Sequence, residues 1–241
     1  MLVRRINFSG YDLDIPKLLQ RRLANAPLPM ELDGEQMIFS LEHEDELDQL
    51  CQALSLLLCR DLMHFELAQL VDRLPLPLME KQSVLADAIA IAKSGERAMT
   101  ARRILKDYLS SQNLLHIEGF LRFRLPDTRA LWQRAVEQAA EEQALRQEYL
   151  ELMGVLRAFV QLQPPQIREI SLCLNPDGSC TLTDASDTRV EYAACPQDQL
   201  VSLLVSIAPA RLTVYDLSGG QRDALTEALS RVFAGRVRFY R

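Results

Sequence analysis

Between Pro126 and the Pro164-Pro165 pair the chain runs on without another proline. Proline is the strongest breaker of helices, so this span predicts the longest element of the fold, a helix with Asp127 as its cap that ends at Gln163. Its second half carries an apolar stripe, Leu145, Tyr149, Leu152, Leu156 and Phe159, in steps of four and three. Its first half carries Trp132, Val136 and Ala139, out of phase by one residue, with Glu141-Glu142-Gln143 between. One straight face cannot serve both stripes. The helix therefore needs two packing partners or a bend near residues 140–144.

Around this helix the chain divides into three regions. Residues 1–42 read as a βαβ-like region: a strand over Leu2–Phe8, a helix opened by Asp14-Ile15-Pro16 and closed by Ala26-Pro27-Leu28-Pro29, and a strand over Met37–Leu41 after the Asp33-Gly34 turn. Residues 43–163 read as helical. Leu47, Cys51, Leu54, Leu58, Leu62 and Phe65 share one face, Pro75 and Pro77 stop that helix, and Ser94 caps another that carries Ala98, Ala101, Leu105 and Tyr108. Residues 164–241 read as a C-terminal α/β region of order ββαβαβ. It has strands at Ile167–Leu174 and Cys180–Thr183 around the Asn175-Pro176-Asp177-Gly178 turn, then helix Gln197–Ile207, strand Arg211–Tyr215, helix Gln221–Phe233 and strand Val237–Tyr240. The fold class is α+β, a predominantly helical middle flanked by small α/β regions at both ends.

Composition narrows the function classes. An apolar content of 48% supplies material for a real core, and a net charge of -6 disfavours a nucleic-acid partner held through its backbone. The charge is uneven: residues 31–50 hold eight acids and no lysine or arginine, whereas residues 97–134 are mainly basic. No apolar run reaches the roughly 18 residues a membrane helix needs, so no membrane insertion is expected. Asn7, Ser9, Asp12 and Asp14 interrupt the start, where a secretory leader would be apolar. Five cysteines without a Cys-x-x-Cys pair suggest neither a disulfide framework nor a zinc site, and a cytoplasmic location with reduced thiols is expected.

The catalytic patterns fail one by one. Leu217-Ser218-Gly219-Gly220-Gln221-Arg222 spells the signature of ABC transporter ATPases, but no Gly-Lys pair exists to build a phosphate-cradling loop. It reads as a strand-to-helix turn. Cys173 and Cys180 flank a hairpin turn and read as inert thiols. His43, His64 and His116 form no metal pair, and the spacing of His64 from Asp61 suits a contact within one helix. His116 and Glu118 in a strand would face the same side, as an acid–base pair of a hydrolase or as a hydrogen-bonded structural pair. Arg122 and Arg124 alternate with Phe120 and Phe123; with Arg129 and Arg134 they could hold a nucleic acid or a phosphate ligand, or simply flank core aromatics. No catalytic residue, metal or cofactor is assigned. His116, Glu118, Arg122 and Arg124 are the candidate binding residues.

The same segment brings a family into view. Ile117-Glu118-Gly119-Phe120 followed by Phe123-Arg124-Leu125, then Ala135-Val136, Leu156–Gln163, Leu203–Pro209, Arg211–Tyr215 and Val232–Val237, resembles the YtxC-like sporulation proteins over roughly residues 45–241. The resemblance implies a Lys-Asp-Tyr-like sequence after Leu125, where this chain has Pro126-Asp127-Thr128, and proline there forces a break. It implies a cytosolic protein linked to spore formation, and no catalytic residues to transfer. The expectation is a non-catalytic protein that acts by binding another protein.

Overall fold

The computed structural model describes residues 2–25, 27–93, 95–192 and 196–240. The cap expected at Ser94, the closing residue Ala26 and the thiol of Cys195 lie outside them. The fold is α+β, with helices dominating between two small sheets. Contacts group the chain into two units, Met1–Ala144 and Leu145–Arg241, where the sequence alone suggests three regions.

In the first unit, β1 (Leu2–Asn7) leads to α1 (Ile15–Arg22). Asp14 caps that helix as its position predicts, accepting from the Lys17 N–H at 3.0 Å, with Pro16 in the first turn. β2 (Met30–Asp33) and β3 (Gln36–Leu41) form a hairpin across Gly34. Next come α2 (Glu44–Leu56), a π-helical turn (Leu57–Leu62), α3 (Met63–Asp72), α4 (Leu78–Ala92), α5 (Gly95–Ser111), β4 (Leu114–His116), α6 (Ile117–Arg124) and α7 (Pro126–Leu162). The sheet runs in the order β2-β3-β1-β4. β1 and β3, the two strands expected within residues 1–42, lie antiparallel, and the parallel neighbour of β1 is β4, far along the chain. That pairing draws the N-terminal sheet and the helices into one core, from Ile6 and Phe39 through Leu54 and Leu105 to Trp132.

The π-helical turn falls in the apolar stretch where the sequence predicts an uninterrupted helix face. One extra residue per hydrogen-bonded ring rotates the helix beyond it, and buried positions pass from Leu58 to Leu62 and Met63. It also presents Asp61 to α1, where Arg22 binds both carboxylate oxygens, Nη2 at 2.7 Å and Nε at 3.0 Å. Asp61 thus pairs with Arg22, and the contact expected from its spacing to His64 is replaced by one between helices. Arg102 and Lys106 of α5 clasp Asp48 of α2, and Arg102, its hydrogen-bond donor, holds that carboxyl below its usual range. Burial pushes the Cys51 thiol up to about 12 and the Cys59 thiol up to about 11, so both stay protonated near neutrality.

α6 and α7 are separate helices, divided at Leu125 by Pro126. α7 then continues through Glu141-Glu142-Gln143 as one element. Up to Ala139 its buried line is Trp132, Ala135, Val136 and Ala139, part of the first core.

The second unit takes the rest of α7 and adds β5 (Glu169–Leu174), β6 (Cys180–Asp184), β7 (Arg189–Tyr192), α8 (Gln197–Ile207), β8 (Arg211–Asp216), α9 (Asp223–Val232) and β9 (Val237–Tyr240). The sheet order is β7-β6-β5-β8-β9, with β5, β8 and β9 parallel and the β5-β6-β7 meander antiparallel. β7 is one strand more than the expected ββαβαβ order. Leu172, Val214, Leu204, Leu229 and Phe233 centre the core. The α7 residues buried in it are Met153 and Val160, with Leu156 half-buried. The stripe predicted to pack is turned mostly outward.

The Leu217–Arg222 segment is a strand-to-helix turn, in agreement with its sequence. Gly219 and Gly220 adopt φ of +65° and +88°, which few other residues tolerate. The Ser218 hydroxyl donates to Asp216 Oδ1 at 2.5 Å, and Arg222 donates to the Gly178 carbonyl of the hairpin turn.

Candidate functional site

Four segments of the first unit converge on a cleft of about 470 Å3: the loop after β1, α3, α6 and the start of α7. The loop brings Gly10, Tyr11 and Asp12; α3 brings Phe65, Glu66 and Gln69, with Arg73 just beyond its end. Glu118 enters from the first turn of α6, and Arg129, Trp132 and Gln133 enter from α7. Arg129 Nη2 donates to Glu66 Oε1 at 2.9 Å, joining α7 to α3. Burial works against the Arg129 charge, but Glu66, Tyr11 and Glu118 together hold its pKa above the ordinary value. Burial, reinforced by the Glu66 charge, pushes the Tyr11 phenol up to about 12, so it is neutral at any physiological pH. The Tyr11 hydroxyl lies against the Arg129 guanidinium, yet neither it nor Arg129 Nε makes a hydrogen bond of ordinary geometry.

Gly10 sets the shape of one wall. Its φ is +92°, and a Cβ there would fall 2.9 Å from Glu118 Oε2. The carboxylate therefore lies where any other side chain would begin. In Gly10→Ala the carboxylate, the end of a flexible side chain, can move aside, but the backbone stays strained, and an expected loss of about 1–3 kcal/mol should appear as a lowered Tm in thermal denaturation. An unchanged Tm would mean that the loop relaxes to a backbone that alanine adopts without strain.

The residues singled out from the sequence do not gather in one place. β4 ends at His116, so His116 and Glu118 are not on one strand face. His116 is the N-cap of α6: its Nδ1 accepts from the Gly119 N–H at 3.4 Å. In the neutral ring that leaves the proton on Nε2, which donates to Ser9 Oγ at 3.1 Å; Ser9 in turn donates to Asn7 Oδ1 at 2.6 Å. A histidine wired this way cannot take the serine proton. Arg122 lies over the Phe123 ring and Arg124 over the Tyr108 ring, at 5.5 and 5.6 Å from the ring centroids. Arg134 donates to the Ala130 carbonyl of its own helix. Of the proposed set, only Glu118 and Arg129 line the cleft. Tyr11, Glu66 and Arg73 join them, although nothing in the sequence singles them out. Among the described residues no group of three or more His, Cys, Asp and Glu could hold a metal ion.

The second unit carries a feature of a different kind. Tyr149, Leu152 and Leu156 of α7 face Val201 and Val205 of α8 across an apolar groove of about 460 Å3, rimmed by Asp198, Ser202 and Ser206. Along the same helix Leu145, Leu152, Val155, Phe159 and Leu162 are 66, 53, 65, 50 and 86% exposed. Among the described residues no helix is long and apolar enough to cross a membrane, so this surface is not part of such a span.

The model of the YtxC-like family matches residues 69–238. The match takes in Glu118, Arg129 and the whole apolar groove, and leaves Gly10, Tyr11 and Glu66 outside it. No curated protein and no solved structure matches the chain.

Proposed function

The chain belongs to the YtxC-like family, and we propose that it is a non-catalytic protein that acts in the cytosol, in connection with spore formation, by binding a helix of another protein. The observation that carries this reading is the outward-facing stripe of α7. Leu145, Tyr149, Leu152, Leu156 and Phe159 are spaced four, three, four and three, the repeat that seats one helix against another. Val155 and Leu162 widen it on one side. Including Tyr149, six large apolar side chains at their exposures present on the order of 700 Å2, close to the ~800 Å2 that each partner gives to a stable interface. That much apolar exposure along one helix is uncommon on a chain that works alone. The occupant is an amphipathic helix that lays its i, i+3, i+4 and i+7 residues in the groove. The Ser202 and Ser206 hydroxyls and the Asp198 carboxylate would meet its polar flank.

The basic-segment reading has less support. Arg122 and Arg124 lie over aromatic rings of this chain, and Arg129 is paired with Glu66. A hydrolase reading at His116 and Glu118 is weakened by the histidine's role as a cap.

A photo-crosslinking amino acid at Val155, in the full chain expressed in its native cells, tests the proposal. A discrete protein adduct is expected, absent when the crosslinker stands at Arg134. Leu152→Asp with Phe159→Asp should abolish the adduct without loss of fold, since both side chains are half exposed. A crosslinker that captures no protein, or an adduct indifferent to the two aspartates, would refute the reading.

A further inference from the structure

We propose that the cleft at Glu118 binds an organic cation, a protonated amine or a guanidinium, independently of the apolar groove. The charge arrangement points that way. Three carboxylates line the cleft, those of Asp12, Glu66 and Glu118, against the guanidinium groups of Arg73 and Arg129. Arg129 is engaged directly with Glu66 at 2.9 Å. With Glu66 paired to Arg129, Asp12 and Glu118 stand against Arg73, so one carboxylate charge is left in excess and an anion entering here would meet that net negative charge. A cation reaching Glu118 instead completes a second ion pair beside the first.

The walls suit the same guest. Tyr11 and Phe65 stand edge to face, with ring centroids 6.5 Å apart and planes at 63°, and Trp132 lies alongside in the cleft lining. Ring faces attract cations and cover an aliphatic stem, which carboxylates alone would leave in water. The Tyr11 phenol stays neutral, so it adds π surface without drawing a proton from the ligand. The lack of a side chain at Gly10 leaves the space into which the Glu118 carboxylate is laid. A cleft of about 470 Å3 admits a molecule of the size of an arginine side chain with its backbone.

Binding is read by isothermal titration calorimetry, because Trp132, the chain's single tryptophan, is 2% exposed and belongs to the core. The full chain is titrated with L-arginine methyl ester, a cation without a carboxylate, and separately with acetate and inorganic phosphate. A saturable change with the ester is expected, with none for either anion. Glu118→Gln should weaken the ester by tenfold or more, and Asp12→Asn, at the exposed mouth, by a smaller factor. Phe159→Asp should leave it unchanged, which separates this site from the groove. No saturable change with the ester would overturn the proposal. So would binding indifferent to both Glu118→Gln and Asp12→Asn, or a saturable response to phosphate or acetate.

Discussion

Phe39→Ala is expected to cost the first unit about 3–5 kcal/mol, the range for removing a fully buried aromatic ring. Phe39 stands in the middle of β3, opposite Arg4 of β1 on one side and Met30 of β2 on the other. It is wholly buried, as are Met37 and Leu41, two residues away in each direction. Truncation opens a cavity where the sheet meets the helices, and the surrounding backbone is held by strands on both sides, so collapse around it is limited. Urea unfolding followed through Trp132, which belongs to the same core, should show a lower midpoint with an unchanged slope. A loss under about 1 kcal/mol would mean that this core is loosely packed.

β3 is legible because its alternation of buried and half-buried residues is the strand period itself, Met37, Phe39 and Leu41 inward. Its hairpin partner β2 is four residues, three of them exposed, and β7 is likewise short and mostly exposed. Edge strands like these bury too little to imprint a pattern, so in the sequence both pass for connections. The second half of α7 shows the opposite failure. Its apolar residues form two neighbouring lines, one through Leu145, Leu152 and Phe159 and the other through Met153 and Val160. Periodicity says that an apolar face exists but not which line the core takes. The cleft is least legible. Tyr11, Glu66, Glu118 and Arg129 lie on four segments that only the β1–β4 pairing and the α3–α7 contact bring together, and no spacing rule links such positions. His116 misleads for a local reason: residues 114–116 are strand, and the helix begins at Ile117, so a two-residue period fails between His116 and Glu118.

Arg4→Glu is expected to destabilise the first unit as severely, by about 3–5 kcal/mol, because it leaves a charge buried without a partner. In β1 the inward residues are Arg4 and Ile6, while Val3 and Arg5 face out. A buried arginine in place of a valine is a poor way to fill a core, so its hydrogen bonds must justify it. Arg4 is 4% exposed; Nε donates to the Leu109 carbonyl at 2.6 Å, and Nη1 donates to the Val3 carbonyl and Asn113 Oδ1, each at 3.0 Å. Leu109 lies in the last turn of α5, whose carbonyls lack partners within the helix, so the guanidinium caps that helix and matches its negative dipole end. The adjacent Arg5 N–H donates to the Asn113 carbonyl at 2.8 Å, so side chain and backbone together fasten the connection into β4. That connection sets the parallel β1–β4 register, which places His116 opposite Asn7 and starts α6, the helix that carries Glu118, from that point. A glutamate would bring a second acceptor, negatively charged, against the same carbonyls. Arg4→Met keeps the apolar stem and removes the donors, leaving Leu109 uncapped for a smaller loss of about 1–3 kcal/mol. Thermal denaturation should rank the proteins wild type, then Arg4→Met, then Arg4→Glu. A methionine variant as stable as the wild type would show that the cap contributes nothing. A glutamate variant no worse than the methionine would show that the site is wetter and more adaptable than its burial indicates.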